Sequence, residues 1–325
     1  MQTALSGYIF LEMLQEDDHF VLYRAIKETN QQKIIIKHLD PLHPDLNDID
    51  ALHREYEILK NFKLPGILNV LNMEHFQNTP VLVFEDFEGI SLENYLKHSS
   101  FTLLEFLKAA ISLARTVEEI HSYQVFHQEI NPSNILFAPY SGELKIINFS
   151  HAEMFIHEQR LQTISSNHRK YVSPEQTGRM NRATDYRTDF YSLGATLYEM
   201  ACGKHLFETD DPAEQFYQHL TKPPKALHLQ NSSIPEPLSE IVSKLLAKIP
   251  EERYQSALGL RYDIEECLRQ IETTGRVREL STAELDLKKS FKIPQKLYGR
   301  EKERQELVEI YQRSVEGANA LLLIS

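Results

Sequence analysis

The sequence predicts an α+β protein of two lobes, a small antiparallel β lobe carrying one helix and a larger, mainly helical lobe after it. Short segments rich in Ile, Val, Tyr and Phe, separated by polar turns, fill the first part of the chain, which is the pattern of a β meander. After Gly89 the apolar residues recur at helical spacing over longer stretches. One of these, DFYSLGATLYEMACG from Asp189, is apolar nearly all round, as expected of a helix buried at the centre of a domain.

Taken in order, SGYIFLEML, FVLYRAIKE and QQKIIIKHLD read as three strands, and DIDALHREYEILKNF reads as a helix with Leu52, Tyr56 and Leu59 on one side. LPGILNVLNMEHFQNTPVLVFEDFEG returns to strands around a turn at Asn78–Pro80. The β lobe so read covers residues 1–87 and the helical lobe 88–271. SLENYLK and TLLEFLKAAISLARTVEEIHSY open the second lobe, and Thr102 and Glu105 have the spacing of a capping box. LSEIVSKLLAK and SALGLRYDIEECLRQIETTG read as amphipathic surface helices. Residues 272–295 turn polar and charged, the composition of a connector, and 296–325 read as a helix leading into the apolar strand ALLLIS. That last unit is expected to be the cut beginning of a further domain, the alternative being an edge strand docked on the main one.

The 325 residues are 42% hydrophobic and 25% charged, enough for a substantial core. A net charge of -12 argues against nucleic acid and anionic lipid as partners, since both reward clustered basic surface. Two cysteines, and a start without cationic flank and apolar core, predict a reducing, cytoplasmic setting with no signal peptide. No apolar run approaches the ~20 residues of a membrane helix. Histidines such as His19, His43, His151 and His157 lack metal-ligand spacing and are expected on the surface or in loops.

Separated motifs then agree in order. IIIK ends on Lys37, REYEIL offers Glu55, and HQEINPSN runs from His127 to Asn134. INFS contains Asn148, SPE ends on Glu175, DFYSLG begins at Asp189 and ERY holds Arg253. From about Tyr8 to Gln270 the chain resembles the protein-kinase family. Each match alone is weak and the ordered set is strong. The resemblance implies that Lys37 faces nucleotide phosphates with Glu55 as its partner. It puts HQEINPSN at the catalytic loop, with Glu129 at the base position and Asn134 as a magnesium ligand, and it puts Asn148 at the second metal position. The hinge would be Glu85–Phe87 behind a bulky Phe84. His127, Asp189 and the pair Glu175–Arg253 would be scaffold. YVSPEQTGRMNRATDYRTDFYSLG resembles, more narrowly, the kinase-like domain at the start of large bacterial signalling proteins, followed there by a STAND-type ATPase and often by sensor histidine-kinase modules. LYGRE, at 297–301, resembles the opening of that ATPase.

Four departures fall where charge is handled. Asn148 offers a neutral amide where a hard dication prefers anionic oxygen. Glu129 is a methylene longer than the Asp of the motif, and about 1 Å of misplacement can cost on the order of a hundredfold in rate. No glycine occurs between Gly7 and Gly66, so QEDDHF stands where glycines would let backbone amides approach phosphates. Its acids would repel phosphate if they faced it, or else point to solvent as charge runs commonly do. Asn131 stands where many kinases carry a lysine that neutralises the transferred phosphate, and Gln128 replaces the arginine that reads a phosphorylated activation segment, so phosphorylation at Thr163, Ser165 or Ser166 would lack its anchor. The bland alternative for Lys37–Glu55 is a plain exposed ion pair, which contributes only about 0.2–1 kcal/mol.

Groups that hold the fold persist and groups that hold metal and phosphate are altered, the signature of a pseudokinase. The first reading is therefore a regulatory module with ATP as candidate ligand and magnesium held weakly or not at all, controlling a protein partner or the following ATPase. Two others stand beside it: an atypical active Ser/Thr kinase using Glu129 as base, and the sensor part of a signalling ATPase.

Overall fold

The computed structural model describes residues 7–288 except 18, 40–44, 77–78, 156–167, 181 and 279. Asp18, His43, Asn78, His157, Thr163, Ser165, Ser166 and the unit expected at 296–325 lie outside the described residues. The chain divides into units 1–289 and 290–325, and the description below concerns the first. It is an α+β fold with an antiparallel sheet in the first lobe and helices in the second.

Strands β1 (Tyr8–Glu16), β2 (Phe20–Lys27) and β3 (Gln32–Leu39) are followed by helix α1 (Leu46–Leu59), then β4 (Val70–Phe76) and β5 (Thr79–Glu85). They form one antiparallel sheet in the order β1-β2-β3-β5-β4. Period-two alternation sorts β3. Ile34 and Ile36 join Val81 and Val83 on one face, whereas Ile35 and Leu39 join Leu22, Leu82 and Phe84 on the other. Lys37 falls in register with the second set. On α1 the buried residues are Leu52, Glu55 and Leu59, so Glu55 sits on the apolar stripe itself.

Beyond the hinge come β6 (Ile90–Ser91), α2 (Leu92–His98), α3 (Leu103–Ser122), β7 (Val125–Phe126), β8 (Ile135–Ala138), β9 (Glu143–Ile146) and β10 (Glu153–Met154). The capping box forms as the spacing predicts: the Glu105 carboxylate accepts from Thr102 N–H at 2.8 Å and Thr102 Oγ1 accepts from Glu105 N–H at 3.3 Å. Helices α4 (Arg187–Cys202), α5 (Pro212–Thr221), α6 (Leu227–Gln230), α7 (Glu236–Leu245) and α8 (Ala257–Thr274) complete the lobe. Every residue of α4 from Thr188 to Met200 is buried. A Cβ on Gly194 would lie 2.7 Å from Leu245 Cβ, so α4 and α7 touch at a point only glycine allows.

Residues 272–288, read as the start of a connector, contribute to this lobe. Helix α8 runs on to Thr274, and α9 (Glu284–Lys288) follows. Asp286 is buried and accepts from Gln255 N–H at 2.6 Å and Ser256 Oγ–H at 2.6 Å, at the start of α8. A Cβ on Gly259 would lie 2.6 Å from Asp286 Cβ. Polar composition hid the packing because the anchoring side chain is a carboxylate that binds Gln255 N–H and the hydroxyl of the N-cap Ser256, contacts that no apolar periodicity reveals.

Two buried histidines make the fold acid-sensitive. Burial pushes His168 down to about 4, and burial followed by the charge of Lys248 pushes His219 down to about 3. Both stay neutral in the native state while the unfolded chain takes up protons below about pH 6.5. Stability is therefore lost as the pH falls from about 6.5 toward 4, by roughly 2 kcal/mol per histidine at pH 5. Urea unfolding at pH 7.5 and pH 5 checks this, with His168→Gln expected to recover about half the loss; equal stability at the two pH values contradicts it. Among the described residues, no helix is long and apolar enough to cross a membrane.

Candidate functional site

The scaffold residues meet as a network around α4. Asp189 is buried, and its carboxylate accepts from His127 N–H at 2.8 Å, Gln128 N–H at 2.7 Å and His121 Nε2–H at 2.8 Å. These bonds hold Gln128 at φ 67°, a left-handed conformation a long side chain adopts only when its surroundings impose it. His127 has Nε2–H donating to Ile147 O at 3.0 Å and Nδ1 accepting from Glu129 N–H at 3.2 Å. Burial lowers its pKa, so it stays neutral. Arg253 spends all five guanidinium N–H groups: two on the Glu175 oxygens at 2.7 Å each, three on the carbonyls of Ala247, Arg187 and Lys248.

In the cleft the structure brings Lys37, Glu55, Glu129, Asn134 and Asn148 together. Lys37 and Glu55 side chains are 2% and 0% exposed, so the pair is buried rather than the exposed surface pair that was the alternative reading. Lys37 Nζ donates to Glu55 Oε2 at 2.5 Å, Asn148 Oδ1 at 2.7 Å and Ser150 Oγ at 2.8 Å. The other Glu55 oxygen accepts from Phe149 N–H at 2.9 Å. Ser150, which the sequence reading passed over, donates its hydroxyl within the same cluster, to Glu55 at 2.9 Å or Asn148 at 2.9 Å.

The orientation of the Asn148 amide follows from chemistry. An ammonium can only donate, so Oδ1 must face Lys37 and the NH2 must face away. It donates to Glu129 Oε2 at 3.3 Å and Asn134 Oδ1 at 3.1 Å. Asn148 sits at φ 66°, which Asn and Asp tolerate better than other side chains. Asn131 spends its Oδ1 on Ser133 and Asn134 N–H groups at 2.9 and 3.1 Å, and so shapes the loop that presents Asn134. The magnesium implied by the kinase resemblance does not fit this donor set. Where a cation would need oxygen lone pairs, Asn148 presents N–H bonds, and Glu129 and Asn134 direct oxygens at them. Among the described residues no group of three or more His, Cys, Asp or Glu is arranged to hold a metal.

The segment that lacks glycine folds over the cluster. Gln15, 9% exposed, donates its Nε2–H to Asn134 Oδ1 at 3.3 Å. The Phe20 ring, buried, centres 4.0 Å from Lys37 Nζ, a cation–π contact that reaches about 2 kcal/mol when desolvated. Asp17 accepts from His19 and Phe20 N–H at 2.8 and 2.9 Å, a turn that sets Phe20 in place. Burial raises its pKa, opposed first by these two N–H bonds and then by Lys37. Asp17 therefore serves the turn instead of pointing to solvent. Glu16 is exposed.

At the hinge Phe84 is buried. Glu85 binds Lys145 Nζ at 2.6 Å, and this contact together with Asn69 holds its pKa low against burial. The Phe87 carbonyl accepts from Arg24 Nη2 at 2.7 Å, and Gly89 O accepts from the same nitrogen at 2.9 Å. Gln15, Phe20 and Arg24 were missed because their partners lie 119, 17 and 63 residues away, beyond any local pattern.

The protein kinase domain family matches residues 20–268. The chain belongs to this family. It is 29% identical over 266 residues to a probable serine/threonine-protein kinase of Clostridium perfringens, covering 79% of this chain and 38% of that protein. A probable serine/threonine-protein kinase of Streptomyces coelicolor is 31% identical over 224 residues, 66% of this chain and 33% of its own. A peroxide stress-activated histidine kinase of Schizosaccharomyces pombe is 24% identical over 327 residues, 95% of this chain and 14% of its own. The kinase-domain chain thus spans 38% or less of these relatives.

Proposed function

We propose that this kinase-family domain is a pseudokinase: a regulatory module that presents a kinase-shaped surface to a protein partner or to the ATPase domain read from LYGRE onward. It uses magnesium–ATP weakly or not at all. One observation carries the reading, namely that Asn148 turns N–H donors toward Glu129 and Asn134, where phosphoryl transfer needs anionic oxygens around a divalent ion. The match to a histidine kinase over 95% of this chain and 14% of that protein supports a place as one module of a longer signalling protein. Calorimetry with ATP, with and without magnesium, tests the reading. No magnesium-dependent affinity is expected, and micromolar affinity that requires magnesium would falsify it. The atypical-kinase reading has a carboxylate in its favour, since Glu129 is buried at the base position with His151 Nε2 3.8 Å from Oε2. Phosphate incorporation abolished by Glu129→Ala would establish that reading instead.

A further inference from the structure

We infer that the cleft is held shut by the protein's own side chains: Phe20 stands at the phosphate position against Lys37, Gln15 stands at the metal position and latches β1 to the catalytic loop without any ligand, and both must be displaced before a nucleotide enters. The inference rests on the regulatory reading, since a working kinase would have to break this latch at every turnover.

Counting donors and acceptors leads to it. An ammonium has three N–H bonds, and those of Lys37 go to Glu55, Asn148 and Ser150. The Phe20 ring stands 4.0 Å from the same nitrogen, so a phosphate has neither a free donor nor an open approach. A carbonyl oxygen has two lone pairs, and those of Asn134 Oδ1 accept from Asn148 at 3.1 Å and Gln15 at 3.3 Å. Gln15 must turn its NH2 to Asn134, because the opposite orientation would set two acceptors against each other. That choice leaves Gln15 Oε1 buried with no donor among the described residues. An unpaired buried acceptor costs free energy, so the latch closes the cleft yet is displaceable. At the other end of the cleft Arg24 takes the Phe87 and Gly89 carbonyls, tying β2 to the hinge.

The test uses the full chain with Gln15→Ala, the milder Gln15→Asn, and Phe20→Ala. ATP binding is measured by calorimetry in EDTA and in magnesium, and hydrogen exchange is followed in residues 8–16 and 127–136. The variants are expected to bind ATP in EDTA at least about tenfold more tightly than wild type, equivalent to 1.4 kcal/mol, with faster exchange in both segments. Equal affinity and equal exchange in wild type and in any variant that retains a cooperative melt overturn the latch. Should wild type bind magnesium–ATP tightly while the variants bind tighter still, the regulatory reading fails and the latch stands. Should wild type lack magnesium-dependent binding and the variants gain nothing, the latch fails and the regulatory reading stands.

Discussion

Glu175→Ala is expected to lower the unfolding free energy by about 3–5 kcal/mol, the cost of leaving a buried charge without its partner. Arg253 and Glu175 side chains are 0% and 1% exposed. The substitution removes two parallel bonds of 2.7 Å and leaves two guanidinium N–H groups facing protein. Thr188 Oγ1–H, which donates to Glu175 Oε1 at 2.9 Å, loses its acceptor as well. The three carbonyls that Arg253 also binds keep it from turning to solvent. Urea unfolding measures the effect, and a loss under about 1 kcal/mol would mean that water reaches the site. The charge lies between the segment ending in SPE and the loop after α7, so proteolysis near Arg179 should accelerate in the variant.

Asn148→Asp is expected to make stability depend on magnesium. The new oxygen would stand where Nδ2 now donates, turning hydrogen bonds of 3.3 Å to Glu129 and 3.1 Å to Asn134 into contacts between acceptors. Two carboxylates at about 4 Å repel by about 4 kcal/mol at an effective dielectric near 20. Lys37, 2.7 Å from Oδ1, offsets part of this, and a net loss of roughly 2 kcal/mol in EDTA follows. Magnesium with ATP should restore the loss, because a dication takes the place of the amide hydrogens between those oxygens. Thermal unfolding of variant and wild type across a magnesium titration in the presence of ATP is the measurement. A variant as stable as wild type in EDTA and indifferent to magnesium would remove the electrostatic basis of the functional reading.

Much of the architecture is legible in the sequence. Alternation reads QQKIIIKHLD as a strand, helical spacing puts Leu52 and Leu59 on the buried side of α1, and Thr102 with Glu105 makes its capping box. These are local regularities, set by backbone geometry over a few residues, and a chain records them directly. The order of the motifs likewise carried the kinase family.

Tertiary structure alone decided what fills the cleft. QEDDHF read as a loop deprived of glycine; folded, it supplies Gln15 and Phe20 to a site whose other members lie on β3, α1 and the catalytic loop. INFS read as a lost metal ligand, while the amide's donors became visible only beside Lys37 and Glu129. Residues 272–295 read as connector, yet Asp286 of α9 is bonded to Gln255 and Ser256 at the start of α8. The physical reason is common to all three: a polar side chain's role is set by which donors and acceptors meet it in space, and hydrogen bonding has no period along a sequence.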